Sequence, residues 1–460
     1  MSELEPTRLT KFSEAAVSSR GDYVLYWMQQ SQRASFNPAL EYAIARANEI
    51  DRPVLVCFGL TDGYPEANAR HFTFMLEGLA ETANLLRRRG LGFVVQSAVP
   101  SDVAVSLAER ASLVVTDRGY LKPQVAWRKT VADRVRCQIV ELEGDVVVPV
   151  EIASKRHEVG ARTLRPKLQR LRDRYLIDLK QEPVRRRWDT PEPVSTIDLS
   201  DITRAVAGMR VDHSVRPVRR FKGGSSVALA RFEAFLADHL AQYAERRGVP
   251  EAGAGSHMSP YLHFGQISPV QLALIVQRAK GASEENRATF LEELIVRREL
   301  AMNHVHYEPA YDTYAAVPAW ARRSLDEHRH DPRTTVYDLD QLALGQTHDS
   351  AWNAAMTEMR ETGYMHNHMR MYWGKKILEW SRSPEEGFET TLRLNNRYFL
   401  DGRDANSFTN VAWIYGLHDR PWFRRPIFGI VRYMSGTSLR RKFDIDAYAR
   451  AVDQLANAEM

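Results

Sequence analysis

Met365-His366-Asn367-His368-Met369-Arg370-Met371-Tyr372-Trp373-Gly374-Lys375-Lys376-Ile377-Leu378-Glu379-Trp380 is the stretch from which the rest of this chain can be read. Wound at 100° per residue, a helix here brings His366, Arg370, Trp373, Ile377 and Trp380 into one stripe about 100° wide, the span of a core-facing surface. A guanidinium keeps its proton, so if the stripe is buried Arg370 needs an anion beside it. The sequence offers Asp401 in Leu400-Asp401-Gly402-Arg403-Asp404. Trp373 and Trp380 lie two turns apart, about 10 Å of rise, a distance an electron can hop. A packed aromatic core with one satisfied arginine accounts for the same residues, so this helix alone leaves both readings open.

Working outward, Trp352 falls on the preceding helix, joined to this one through Gly363. Apolar spacing predicts helices over Val227–Arg247, Pro269–Lys280, Glu284–His304, Asp338–Leu344, Ser350–Glu361, Tyr364–Ser381, Pro384–Tyr398 and Asp444–Ala456. Residues 22–150 read differently. Short apolar runs at Asp22–Met28, Pro53–Gly59, Leu91–Ser97, Ser112–Thr116 and Cys137–Leu142 alternate with helical patterns near 37–50, 66–90, 101–110 and 121–135. That alternation predicts a doubly wound, Rossmann-like parallel sheet, with a crevice at its switch point. The expected organisation is an α/β domain over 20–150, an all-helical domain over 226–460, and between them a linker over 151–225, broken by Pro183, Pro191, Pro193 and Pro217 and long enough to have a packing role of its own.

Several chemistries lose support. No Gly-x-Gly-x-x-Gly or P-loop follows the first strand, and no Gly-x-Ser-x-Gly elbow is present. His304/His306 and His328/His330 have i, i+2 spacing, which does not put two ligands on one helical face, so no metal is assigned. Cys57 and Cys137 lie in apolar runs as free thiols. The longest apolar runs are too short to span a bilayer, and Met1-Ser2-Glu3-Leu4-Glu5-Pro6 lacks a basic n-region; a cytoplasmic protein is expected.

Other features invite a ligand. Gly253-Ala254-Gly255-Ser256-His257-Met258-Ser259-Pro260 is a Gly/Ser loop that reads as ending in a helix with Ser259 as N-cap, a place where amides and hydroxyls can hold an anion. Glu293 and Arg297, at i and i+4, read as a surface pair. The 460-residue chain carries a formal charge of +5, but the charge is clustered. Residues 155–187 hold twelve Lys or Arg against four Asp or Glu, and residues 419–442 seven against one, interleaved with Trp422, Phe423, Phe428 and Tyr433. Basic residues among aromatics suit a nucleic-acid surface, and equally a solvated face.

The motifs Met258 to Ser268, Glu292 to Leu300, Thr347-His348-Asp349, Met369 to Trp373, Lys375 to Trp380, Leu400 to Asp404 and His418 to Trp422 resemble class II cyclobutane pyrimidine dimer photolyases of the photolyase/cryptochrome superfamily. Tyr26-Trp27-Met28 with Gln32-Arg33, and Arg162 to Leu168, are similar to that family's N-terminal half. The resemblance implies FAD folded in the helical domain. Its phosphates would meet Tyr243 and the loop Gly255, Ser256, His257, Met258 and Ser259; Arg370 and Asp401 would sit beside the isoalloxazine, Asn395 would face N5, and Arg403 would join the cofactor set. Trp373, Trp352 and Trp380 match the electron-transfer chain, Trp373 innermost and Trp380 outermost. Glu293 matches the carboxylate that hydrogen-bonds the dimer, Trp413 the aromatic that packs on it, with Met371 close by. Arg247, Arg420 and Arg432 match basic positions near DNA. The implied reaction is light-driven electron transfer from excited reduced FAD to a dimer flipped out of UV-damaged double-stranded DNA, by a monomer away from membranes.

This chain departs from the family at Arg297, where some members carry a second substrate-facing tryptophan and where the arginine could instead reach a phosphate, and at His257 and Asn367-His368. The resemblance does not settle the antenna: 8-hydroxydeazaflavin in the N-terminal crevice is expected first, a folate second, and an empty crevice is the third alternative. Two other functions compete: a cryptochrome-like blue-light photoreceptor without repair, against which Glu293, Trp413 and the lack of a long C-terminal tail argue, and a nucleic-acid-binding structural protein with an aromatic core.

Overall fold

The computed structural model describes residues 4–13 and 15–459; residues 1–3, part of the stretch read for a secretory signal, and residues 14 and 460 lie outside the described residues. All five apolar runs are strands. With one more they form a six-stranded sheet, β1 (Leu9–Lys11), β2 (Tyr23–Trp27), β3 (Val54–Leu60), β4 (Gly92–Ser97), β5 (Ala111–Asp117) and β6 (Gln138–Leu142), in the order β1-β6-β5-β2-β3-β4. The strands β2 to β6 pair parallel, because helices cover both faces and each strand is apolar on both sides. Val24, Tyr26, Val56 and Phe58 pack with α1 (Pro38–Glu49) and α2 (Ala69–Arg88). Tyr23, Leu25, Trp27, Leu55 and Cys57 pack with α3 (Pro100–Ala108) and α4 (Lys122–Arg134). That is the two-residue period of a pleated strand.

Two features add to this plan. The parallel sheet gains an edge strand, β1, which pairs antiparallel with β6, Thr10 opposite Glu141, so the sheet begins before residue 20. Three residues with two exposed side chains carry no periodic signal. The stretch 151–225 carries structure and packing of its own. It holds the helices Ala161–Tyr175 and Ile202–Ala207, and residues 188–196 close the open edge of β4. There the amides of Phe93, Val95 and Ser97 donate to Glu192 Oε1, Ser195 Oγ and Thr196 Oγ1, and Trp188 N and Thr196 N donate to the carbonyls of Gly90 and Val95. An edge strand left bare would be a template for aggregation.

The helical half forms as expected over most spans, with the pattern Glu284–His304 continuing to Tyr307. Val227–Arg247 is interrupted at His239, where φ is −128°, giving Ser225–Asp238 and a short Tyr243–Arg246 turn. The helix expected to follow the Gly/Ser loop is the short Ser259–His263, whereas helices at Ala319–Glu327, Ala405–Ile414 and Gly436–Lys442 were not foreseen. The helix Asn367–Trp380 buries its predicted stripe, and nearly everything else with it: Met369, Met371, Tyr372, Gly374, Lys375, Lys376 and Leu378 are buried too. Helices Ser350–Thr362, Pro384–Tyr398 and Ala405–Ile414 surround it, so a one-sided stripe was too narrow an expectation.

Candidate functional site

A cleft of about 1150 Å³ of empty space, counted to its mouth, opens in the helical half. Drug-sized ligands occupy pockets of roughly 300–1,000 Å³. Its wall carries Arg370 and Asp401, whose Nη2 and Oδ1 are 3.2 Å apart with side chains only 9% and 11% exposed. The buried cation thus has the partner its burial demanded. Arg370 also lies 3.7 Å above the Phe399 ring. Burial, with Asp401 as a like-charged neighbour, pushes the Asp404 carboxyl on the same wall up to about 6.

Ser256, Met258 and Ser259 line one end with Tyr243. Ser259 is not the N-cap that the sequence suggested: Met258 occupies that position in αR conformation, no side chain caps the turn, and Ser259 is its first helical residue. Neither hydroxyl is spent within the protein among the described residues. Gly255 and His257 stand behind this face. A Cβ on Gly255 would lie 3.0 Å from the Tyr364 hydroxyl. His257 adopts φ +55°, and its Nε2 accepts from Arg220 at 3.3 Å. Burial and the guanidiniums of Arg220 and Arg231 pull His257 down to about 3, so the imidazole is neutral and its proton sits on Nδ1. That nitrogen, Arg220 Nη1 and Arg231 Nε are all buried without a partner. Unmet donors of this kind call for an anion. Arg220 and Arg231 were missed by sequence reasoning, and no spacing marks them; they meet the loop only through the fold.

Opposite stands the Glu292–Arg297 segment, a π-helical insertion within the helix spanning 284–307. It overturns the expected Glu293–Arg297 pair. A π turn brings i and i+5 together instead of i and i+4, so Arg297 Nε pairs with Glu292 at 3.2 Å. Glu292 is also held bidentate by Arg165 from the linker. Glu293 is thereby released toward the cleft, where Arg247 meets it at 3.1 Å. Arg247 is anchored in turn, since its carbonyl accepts from His366 Nε2 at 3.0 Å.

The indoles lie behind this wall. Trp373 and Trp352 stack at 6.5 Å between centroids and 12° between planes, and Trp352 meets Trp380 edge-on at 5.5 Å. Trp352 is therefore the middle member, bridging the two turns that separate the others. Trp373 is one ring from the cleft, 6.4 Å from Phe399. Trp380 is 3% exposed and so does not reach the surface; half-buried Tyr337 lies 5.2 Å beyond it.

Other residues from the sequence reading fall outside the cleft lining. Asn395 is buried, its amide donating to Asn396 Oδ1 at 3.0 Å. Met371 is buried. Trp413 is half-buried, one turn beyond the cleft-lining Asn410 on the helix Ala405–Ile414. Arg432 lies 5.4 Å from the Trp413 ring and 4.1 Å above Trp422, held by Asp419 at 2.8 Å. Arg420 is exposed beside Trp422, and Phe423 is 88% exposed. A surface with exposed aromatics and guanidiniums suits nucleic acid.

Arg403, grouped above with the cofactor set, lies elsewhere. In left-handed conformation at φ +66°, it lines a second cleft of about 720 Å³ of empty space at the carboxyl ends of β2 and β3, beside the point where strand order reverses. Trp127, Tyr64, Phe72 and His263 share that lining. Gln29 Nε2 and Oε1, Gln32 Oε1 and Arg403 Nε and Nη2 are buried there without partners. Asp117 holds the loop after β2 by accepting from the Gln29 and Gln30 amides at 3.2 and 2.6 Å. The predicted switch-point crevice is thus present.

Comparison with known proteins agrees with this architecture. A family model described as DNA photolyase matches residues 24–187. A deoxyribodipyrimidine photo-lyase of Methanothermobacter thermautotrophicus is 45% identical over 432 residues, covering 93% of this chain and 94% of the relative. One from Arabidopsis thaliana is 38% identical, covering 94% and 89%. Among solved structures, a class III photolyase from Agrobacterium tumefaciens superposes with a TM-score of 0.73 at 19% identity, covering 96% of this chain and 88% of that one. At that identity the likeness speaks to the fold alone.

Proposed function

The chain belongs to the DNA photolyase family, and from that premise we propose that it is a deoxyribodipyrimidine photo-lyase that repairs cyclobutane pyrimidine dimers in UV-damaged DNA under light. The motifs around Glu293, Arg370 and Asp401 favour its class II branch. The observation that carries the reading is a cleft with a buried Arg370–Asp401 pair on one wall and Glu293 turned inward on the other.

The residues of this cleft fit FAD. Unspent hydroxyls at Ser256 and Ser259 and the unmet donors of His257, Arg220 and Arg231 suit its pyrophosphate, and Arg370 with Asp401 suits the polar edge of its ring system. When bound and reduced, the flavin supplies on illumination the electron that splits the cyclobutane ring, and receives it back. The chain's own work is positioning. Glu293 accepts a hydrogen bond from the flipped pyrimidines once Arg247 swings toward a phosphate, and Trp413 closes the pocket against their apolar edge. Trp373, Trp352 and Trp380 form a relay for reducing an oxidised cofactor. Asn395 would face the flavin N5, and Met371 would lie close to the substrate. Arg247, Arg297, Arg420 and Arg432 hold the backbone, so their contribution falls with salt.

For the switch-point cleft we propose an antenna chromophore, 8-hydroxydeazaflavin ahead of a folate; Arg403 belongs to that site. Among the described residues no helix is long and apolar enough to cross a membrane, and the chain is proposed to act as a monomer. Binding in darkness tests the substrate assignment: a duplex with one thymine dimer should bind far more tightly than its undamaged twin. Equal affinities would favour a light sensor.

A further inference from the structure

Lys375 is fully buried, and no carboxylate lies within ion-pair distance of its amine among the described residues. The helix that carries it runs unusually close to the helix Ala405–Ile414: at the preceding Gly374, a Cβ would sit 2.1 Å from Ile414 Cδ1. That approach lets Lys375 Nζ donate to the carbonyl of Ile414, the last residue of the neighbouring helix. The same ammonium stands 5.5 Å from the ring of Trp413. The charged groups facing it are Asp419, which favours the cation, and Arg432, which opposes it.

An apolar side chain would fill this space without the cost of stripping water from an amine. What the amine adds is specific. It supplies a donor to a carbonyl that the helix cannot satisfy, a positive charge at the negative end of that helix, and a cation against the indole. All three act on one turn, the turn that carries Trp413 and leads into the 415–432 loop with Asp419, Arg420 and Arg432. We propose that Lys375 is a positioning residue for lesion recognition: from inside the core it fixes the last turn of helix 405–414, and so the plane that Trp413 presents to the flipped dinucleotide. The proposal rests on the reading of Trp413 as the lesion-facing aromatic. Burial pulls the amine down to about 7, so the grip is strongest on the acid side of neutrality.

The test measures dark binding of flavin-loaded protein to a thymine-dimer duplex and to its undamaged twin, for the wild type, Lys375→Met, Trp413→Leu and the double variant. Lys375→Met should weaken lesion binding roughly five- to thirtyfold, leave undamaged-duplex binding and the flavin absorbance unchanged, and cost less than about twofold more when Trp413 is already leucine. Lys375→Gln keeps a donor to Ile414 without the charge. It provides the answer if the methionine variant does not fold, and should fall between the two. Equal losses on both duplexes, or the same loss with and without Trp413, would overturn the proposal and make Lys375 a core residue only. Failure of the wild type to prefer the lesion would instead overturn the repair reading.

Discussion

The two clefts are built from opposite materials. The helical cleft is walled by ions: Arg370 with Asp401, Arg247 with Glu293, and Arg297 with Glu292. The switch-point cleft is walled by rings and neutral amides, with Arg403 as its main charge. Ions fixed in low dielectric are costly unless they act on a charge that arrives or develops there. The contrast is consistent with the proposed placement of an anionic cofactor in the helical cleft and of a flat conjugated antenna in the other.

Substitutions can break this contrast. The largest effect should come from Asp401→Asn, which leaves Arg370 buried without its carboxylate. A loss of about 3–5 kcal/mol is expected, read as a lowered melting temperature and loss of bound flavin; retained flavin would remove the pair from the cofactor wall. Next, Trp373→Phe should abolish photoreduction of oxidised flavin yet leave repair by chemically reduced enzyme near wild type. Undiminished photoreduction would take Trp373 out of the relay. Glu293→Ala should slow repair about ten- to hundredfold with flavin content unchanged, and parallel loss of both would show the pocket to be misplaced. Filling the switch-point cleft with Met75→Trp should leave repair unchanged in saturating light and lower it only in dim light.

The smallest effect concerns acid. Burial holds His257, His304 and His418 near about 3 in the folded chain, against an ordinary value of 6.5. Between those values the unfolded chain binds more protons than the folded one, so stability falls as pH drops below 6.5, by up to about 1.4 kcal/mol per unit for each such group. His257→Asn, which tolerates the positive φ, should flatten that slope by one proton; an unchanged slope would contradict the burial of His257.

Legibility followed the strength of each physical constraint. The strands β2 to β6 stood out because residues buried on both faces must be apolar in runs, and Arg370 pointed to Asp401 because a buried guanidinium cannot stay unpaired. The helix Ala405–Ile414 escaped because its buried face includes Ser407 and Thr409. The helix Ala161–Tyr175 was hidden by Pro166, and is retained by buried Leu164, Leu168 and Tyr175. The π insertion has no signature in residue spacing, so Glu293 was given the wrong partner. Arg403 was misplaced because a left-handed residue after Gly402 turns its side chain away from Asp401's cleft. Arg220 and Arg231 converge on His257 from distant positions, and only the folded chain brings them together.

The most direct measurement exposes a thymine-dimer oligonucleotide to the purified, reduced protein under blue light and in darkness, and counts the dimers that remain. Two charged walls around a flavin predict loss of dimers in the light alone. Persistence of dimers in the light, with flavin and lesion both bound, would contradict that account of the helical cleft.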